Sequence, residues 1–93
     1  MRVEVHVYFP FRAELDSSLV VLDLPPGADV SAAVDAFVER YPQLRDRVVD
    51  QAGRPHRYVS ALVNGVSIQF LRGFSTELSP SDVVTLLPPV GGG

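Results

Sequence analysis

Residues 3–9 alternate strictly: Val3, Val5, Val7 and Phe9 are apolar, and Glu4, His6 and Tyr8 fall between them. A period of two predicts a half-buried strand, and Pro10 ends it. Phe11 to Ser18 then form a connection carrying Arg12, Glu14 and Asp16. Leu19 to Leu24 predicts a second strand that stops at Pro25-Pro26-Gly27. Two apolar strands joined by a short polar stretch predict an antiparallel hairpin.

The period then changes. Val30, Ala33, Val34, Phe37, Val38 and Tyr41 lie at i, i+3, i+4, i+7, i+8 and i+11, the stripe of an amphipathic helix. Asp29 is placed to cap its free N–H groups, and Pro42 prevents its continuation. Leu44 to Val49 adds a short helical turn, and Gln51 to His56, with Gly53 and Pro55, reads as loop. Val59, Ala61 and Val63 then precede Asn64-Gly65, and Val66, Ile68 and Phe70 follow it. Asn-Gly suits a two-residue hairpin turn, where both residues take positive φ. That turn sets Val63 opposite Val66 and predicts that all six apolar residues share one face. Tyr58, Ser60, Leu62, Ser67, Gln69 and Leu71 then take the other face. After a polar stretch from Ser75 to Asp82, Val83 to Leu87 predicts a last strand, with Val84 and Leu86 on one side and Val83, Thr85 and Leu87 on the other.

Strand, strand, helix, strand, strand, strand predicts an α+β domain: a mixed five-stranded sheet with one main helix packed across one face. That is the order of the β-grasp, or ubiquitin-like, roll. The domain covers residues 1–87, and residues 88–93 form a C-terminal tail. No internal repeat or interdomain linker is visible.

Composition narrows the function. The chain has 93 residues, enough for one compact core and too few to favour a deep substrate cavity. It has no Cys, which excludes disulfides, thiolate metal sites and a nucleophilic thiol. It also has no Lys: all eight basic residues are Arg, against eleven carboxylates and a net charge of −3. Nucleic-acid binding needs clustered positive charge, and these Arg residues are scattered. No apolar run approaches a membrane span, and the first residues lack the apolar block of a signal peptide. A soluble cytoplasmic protein is the expectation.

No side-chain constellation points to catalysis or to a metal. His6 and His56 have no ligand partner at metal-binding spacing. Ser17-Ser18 and Ser79 to Ser81 are turn residues without an evident base, and Glu14 and Asp16 lie in a connection. The chain's end is different: Leu87 runs into Pro88-Pro89-Val90-Gly91-Gly92-Gly93. The prolines favour an extended exit, and the glycines have no packing role and predict a flexible end. A frayed end or cloning scar is one reading. The other is a tail shaped to thread a channel too narrow for Cβ atoms, with the Gly93 carboxylate as the reactive group.

The tail resembles the Pro-Pro-Val-x-Gly-Gly ending of the MoaD/ThiS superfamily of ubiquitin-like sulfur carriers. Val63-Asn64-Gly65 resembles its central hairpin, and Phe70 to Leu87 its run of Gly, apolar residue, Thr, Leu, polar turn with Asp, and strand into Pro-Pro. Arg12-Ala13-Glu14-Leu15 resembles the first-hairpin segment of the MoaD branch. His56-Arg57-Tyr58-Val59 resembles the segment before the third strand in the CysO branch, which serves a route to cysteine. The resemblance implies that a ubiquitin-activating-type adenylating enzyme converts the Gly93 carboxylate to an acyl adenylate. Sulfur then displaces AMP, and the resulting thiocarboxylate donates sulfur to an acceptor enzyme. It implies Gly92 as the required neighbour of Gly93 and Gly91 as part of the threading tail. It also implies that ATP belongs to the partner and that the domain itself holds no cofactor.

Docking needs a surface. If the helix covers the inner face, Leu62, Leu87 and Leu71 are expected to form an exposed apolar patch beside the tail. The acceptor is expected to be the large subunit of molybdopterin synthase, this chain being the small subunit; a cysteine synthase is the alternative. Two other readings use the same residues. One is a protein modifier conjugated through Gly93, which without Lys cannot build lysine-linked chains on itself. The other is a plain interaction domain with a meaningless tail.

Overall fold

The computed structural model describes residues 1–7, 19–54 and 59–87. Strands β1 (Arg2–Val7) and β2 (Leu19–Asp23) precede helix α1 (Val30–Arg40), and a 3-10 turn (Pro42–Leu44) leads into the short helix α2 (Arg45–Val48). Strands β3 (Ser60–Val63) and β4 (Val66–Ser67) follow. Two 3-10 turns (Ile68–Phe70 and Gly73–Ser75) then lead to β5 (Val83–Leu87). The sheet order is β2-β1-β5-β3-β4. β1 and β5 are parallel, and every other pair is antiparallel. This is the expected α+β, β-grasp architecture, with the first and last strands side by side at its centre.

Helix α1 forms for the reasons its sequence gives. Asp29 Oδ1 accepts from the Ala32 N–H at 2.9 Å, satisfying one of the free donors of the first turn. Val30, Ala33, Val34, Phe37 and Val38 are buried, so the stripe faces the sheet. Tyr41 packs at the margin of the core, with its ring centroid 5.4 Å from that of Phe37. Arg40, in the last turn, donates to the Val21 carbonyl at 3.1 Å and ties the helix end to the β2 edge.

The core lies between α1 and one face of the sheet. Val3, Val5, Val7, Val20, Leu22, Ala61, Val63, Val84 and Leu86 are all buried there. Alternation places the inner and outer residues of β1, β2, β3 and β5 as expected. β5 occupies the predicted span, whereas the expected end of the first strand, Tyr8 and Phe9, lies outside the described residues.

The central hairpin departs from expectation after its turn. Asn64 and Gly65 take φ of 51° and 85°, and Val63 pairs with Val66. β4, however, ends at Ser67. Ile68 to Phe70 wind into a 3-10 turn capped by Ser67, whose Oγ accepts from the Gln69 N–H. Of the three apolar residues after the turn only Ile68 is buried; Val66 and Phe70 are exposed, Phe70 at 82%. The physical reason is a competing tertiary demand. The chain leaves the sheet edge to reach the start of α1, where the Thr76 carbonyl accepts from Val30 N–H, Leu78 N–H donates to the Ala28 carbonyl and Glu77 bridges Asp29. Strand pairing would carry it away from those contacts.

Candidate functional site

The sheet face opposite α1 carries no covering element among the described residues. Cross-strand register defines it. Leu19 (β2), His6 (β1), Thr85 (β5), Leu62 (β3) and Ser67 (β4) form one row across all five strands. Leu87 pairs with Ser60 one step further along and is therefore the diagonal neighbour of Leu62. Leu62 and Leu87 are both half-buried. His6 stands mid-row with its Nε2 3.4 Å from Glu4 Oε1, a contact on half-exposed side chains that adds little stability.

The structure thus brings Leu62 and Leu87 together at the end of β5 from which the tail sequence continues. It does not bring Leu71 to them. Because β4 stops at Ser67, the alternation that put Leu71 on the Leu62 face does not carry through. Leu71 is exposed instead in an open groove with Phe70, Arg72, Thr76 and Glu77. Leu19 and Val21, both 41% exposed, extend the open face on β2 and were not among the expected patch residues. Their signal was present: they alternate with Val20 and Leu22, as Thr85 and Leu87 alternate with Val84 and Leu86.

The start of β5 is held by a side-chain clamp. Asn64 Nδ2 donates to Asp82 Oδ1 and the Val83 N–H donates to Asn64 Oδ1, both at 2.9 Å, while Asp82 Oδ2 accepts from the Ser79 N–H at 2.8 Å. Asn64 thus serves twice, as a turn residue and as a latch on the strand that leads to the tail. Only the first role is legible in the sequence, because the latch joins residues 18 positions apart. Ser81, at φ of 70°, holds the left-handed region between Pro80 and Asp82 while its N–H donates to the Arg2 carbonyl.

The expected reactive and threading residues, Gly93, Gly92 and Gly91, lie outside the described residues, as do Arg12 to Leu15 and His56 to Tyr58. Among the described residues no three His, Asp or Glu side chains are grouped as a metal site requires, and no helix is long and apolar enough to cross a membrane.

A family model of the ThiS family matches residues 7–93, from inside β1 through the last glycine. The chain belongs to the ThiS family. One relative is the sulfur carrier protein CysO of Mycobacterium tuberculosis, 32% identical over 69 residues, which span 72% of this chain and 74% of the relative. Among solved structures, the small archaeal modifier protein SAMP1 of Haloferax volcanii matches with a TM-score of 0.87 at 27% identity and covers 100% of both chains. A chain of the BexX/CysO complex of Amycolatopsis orientalis matches with a TM-score of 0.74 at 27% identity, covering 98% of this chain and 99% of that one. This ThiS-family chain is therefore a ubiquitin-like protein of the group that holds sulfur carriers and protein modifiers. Its named relatives include a sulfur carrier protein and a small archaeal modifier protein.

Proposed function

We propose that the chain is a sulfur carrier whose Gly93 carboxylate is adenylated and then converted to a thiocarboxylate. One observation carries this reading. The central strand β5, latched at its start and paired on both sides, ends at Leu87 beside Leu62, and the Pro-Pro-Val-Gly-Gly-Gly sequence follows directly in a family match that runs through residue 93. A rigid sheet would present the open apolar face while Gly91, Gly92 and Gly93 enter a partner's active site.

In the reaction, the Gly93 carboxylate attacks the α-phosphate of ATP held by an adenylating enzyme, and pyrophosphate leaves. Sulfide then displaces AMP and gives the thiocarboxylate directly; a persulfide donor displaces AMP to give an acyl disulfide, which a second thiol cleaves to the thiocarboxylate and a disulfide. No side chain of this domain reacts; its part is to dock and deliver the tail. The acceptor is the large subunit of molybdopterin synthase or a cysteine synthase. The tail and first-hairpin resemblance support the first, and the 32% identity to CysO supports the second.

The protein modifier is a second reading with its own support, the full-length likeness to a small archaeal modifier protein. Intact mass of protein from its native host separates them. A gain of about 16 Da placed at Gly93 by fragmentation, one oxygen replaced by sulfur, is expected for the carrier. Amide linkage of Gly93 to other proteins would select the modifier. Deleting Gly92 and Gly93 is expected to abolish activation under either. Supplying the thiocarboxylate form to each acceptor class, and following sulfur into a molybdopterin precursor or a cysteine precursor, decides the pathway.

A further inference from the structure

An activated acyl group at Gly93 is a hazard to the protein that bears it, because any good nucleophile on the same or a neighbouring copy can intercept it. The chain is unusually poor in such nucleophiles. It has no Lys and no Cys. Its eight basic side chains are guanidiniums, which stay protonated and have no free nitrogen lone pair for attack. Hydroxyls are weak nucleophiles without an adjacent base. An imidazole would form an acyl species that water hydrolyses rather than a lasting link.

The fold restrains the main-chain amine at Met1. Its nitrogen donates to the Leu24 carbonyl, and the Leu24 N–H returns a bond to the Met1 carbonyl at 2.8 Å, so this end is stitched onto the β1–β2 pair. The parallel pairing of β1 with β5 adds distance. Val7 lies beside Leu86, so the strand end that leads to the tail is level with the end of β1, not with its start. Six residues of strand separate Met1 from that level, roughly 20 Å at the usual rise. The six residues after Leu87 reach roughly 20 Å only when fully extended. Gly93 could meet its own amine only by doubling back along the whole sheet.

We propose that the chain is inert to its own activated terminus: Gly93 acylates only a nucleophile supplied by another protein or a small molecule, and every product carries a single copy of this chain. The inference deepens the reading of Gly93 as the activated group and applies equally to a carrier and a modifier. The excluded step is acyl transfer between copies. There an amine nitrogen attacks the Gly93 carbonyl carbon, a C–N bond forms, the bond to the AMP or thiol leaving group breaks, and the amine proton passes to solvent.

The test bypasses the activating enzyme, so its failure is distinct from failure of the carrier reading. The full chain is prepared as a Gly93 thioester of a small thiol, by thiolysis of an intein fusion. It is held concentrated at mildly alkaline pH and followed by intact mass. Hydrolysis to the acid is expected without covalently doubled species, while added glycinamide is captured at Gly93. Two variants restore an amine: Arg72→Lys on the exposed surface, and a short Gly-Ser extension before Met1 that frees the amino group from Leu24. Each is expected to raise doubled product at least about tenfold over wild type. Doubled wild-type product at the rate of the variants overturns the proposal. So do variants as inert as wild type under conditions where glycinamide reacts.

Discussion

The two faces of the sheet are made by the same strands and have different fates. On β5, Val84 and Leu86 are sealed under α1 at 0% and 1% exposure, while Thr85 and Leu87, which alternate with them, face outward and stay half-buried. β2 repeats the contrast: Val20 and Leu22 are buried, Leu19 and Val21 are exposed. The inner face is continuous and entirely apolar, as a core that excludes water must be. The outer face interleaves leucines with His6, Thr85 and Ser67, a surface that tolerates water yet retains apolar anchors. Under the proposed docking, one strand period serves stability on the inner face and recognition on the outer.

Substitutions test that division. Phe37→Ala removes a fully buried ring under the sheet and is expected to cost about 3–5 kcal/mol, read as a lowered denaturant midpoint. A loss below about 1 kcal/mol would mean that the inner face does not carry the fold. Leu62→Asp, on the outer face, is expected to cost about 1 kcal/mol or less in the same titration. It should nonetheless weaken capture of the adenylating or acceptor enzyme by about tenfold or more. Unchanged capture would remove Leu62 and Leu87 as the docking surface.

The latch at the start of β5 sits between the two faces. Asp82→Ala leaves Asn64 Nδ2 and the Ser79 N–H without their acceptor, both at an exposed site, and is expected to cost about 1 kcal/mol. Faster hydrogen exchange confined to the β5 amides would be its signature; a uniform increase across the sheet would show that the latch stabilises the whole domain and not this strand. Ser81→Gly should give the smallest effect, a stabilisation of roughly 0.5 kcal/mol. Relief of the left-handed backbone there outweighs the added chain entropy. Destabilisation would show that the Ser81 side chain contributes more than its backbone strain costs.

Much of this molecule was legible in the chain because its signals are local. The 3.6-residue stripe of α1 and its Asp29 cap lie within a dozen consecutive residues, and so do the Asn64-Gly65 turn with its Val63–Val66 pair and the span of β5. The same rule failed after Ser67. Val66, Ile68 and Phe70 alternate as a strand does, but alternation records only which residues could share a face. Whether a sheet edge continues depends on contacts made elsewhere, here by Thr76, Glu77 and Leu78 at the start of α1. Leu71 lost its place in the expected patch for that reason. Leu19 and Val21 joined the open face because β2 pairs beside β1.

The sequence by itself determined the elements up to the Asn64-Gly65 turn and β5, the buried side of β1, β2, β3 and β5, the glycine tail and the absence of amine and thiol side chains, since each is a property of residue identity or of neighbours along the chain. Only the tertiary structure decided that β1 and β5 lie parallel at the centre, that Asn64 latches Asp82, and that the Met1 amine sits at the far end of the sheet from Leu87. Those relations join residues far apart in the chain. They are fixed when a single core closes over the inner face, and no local pattern carries that information.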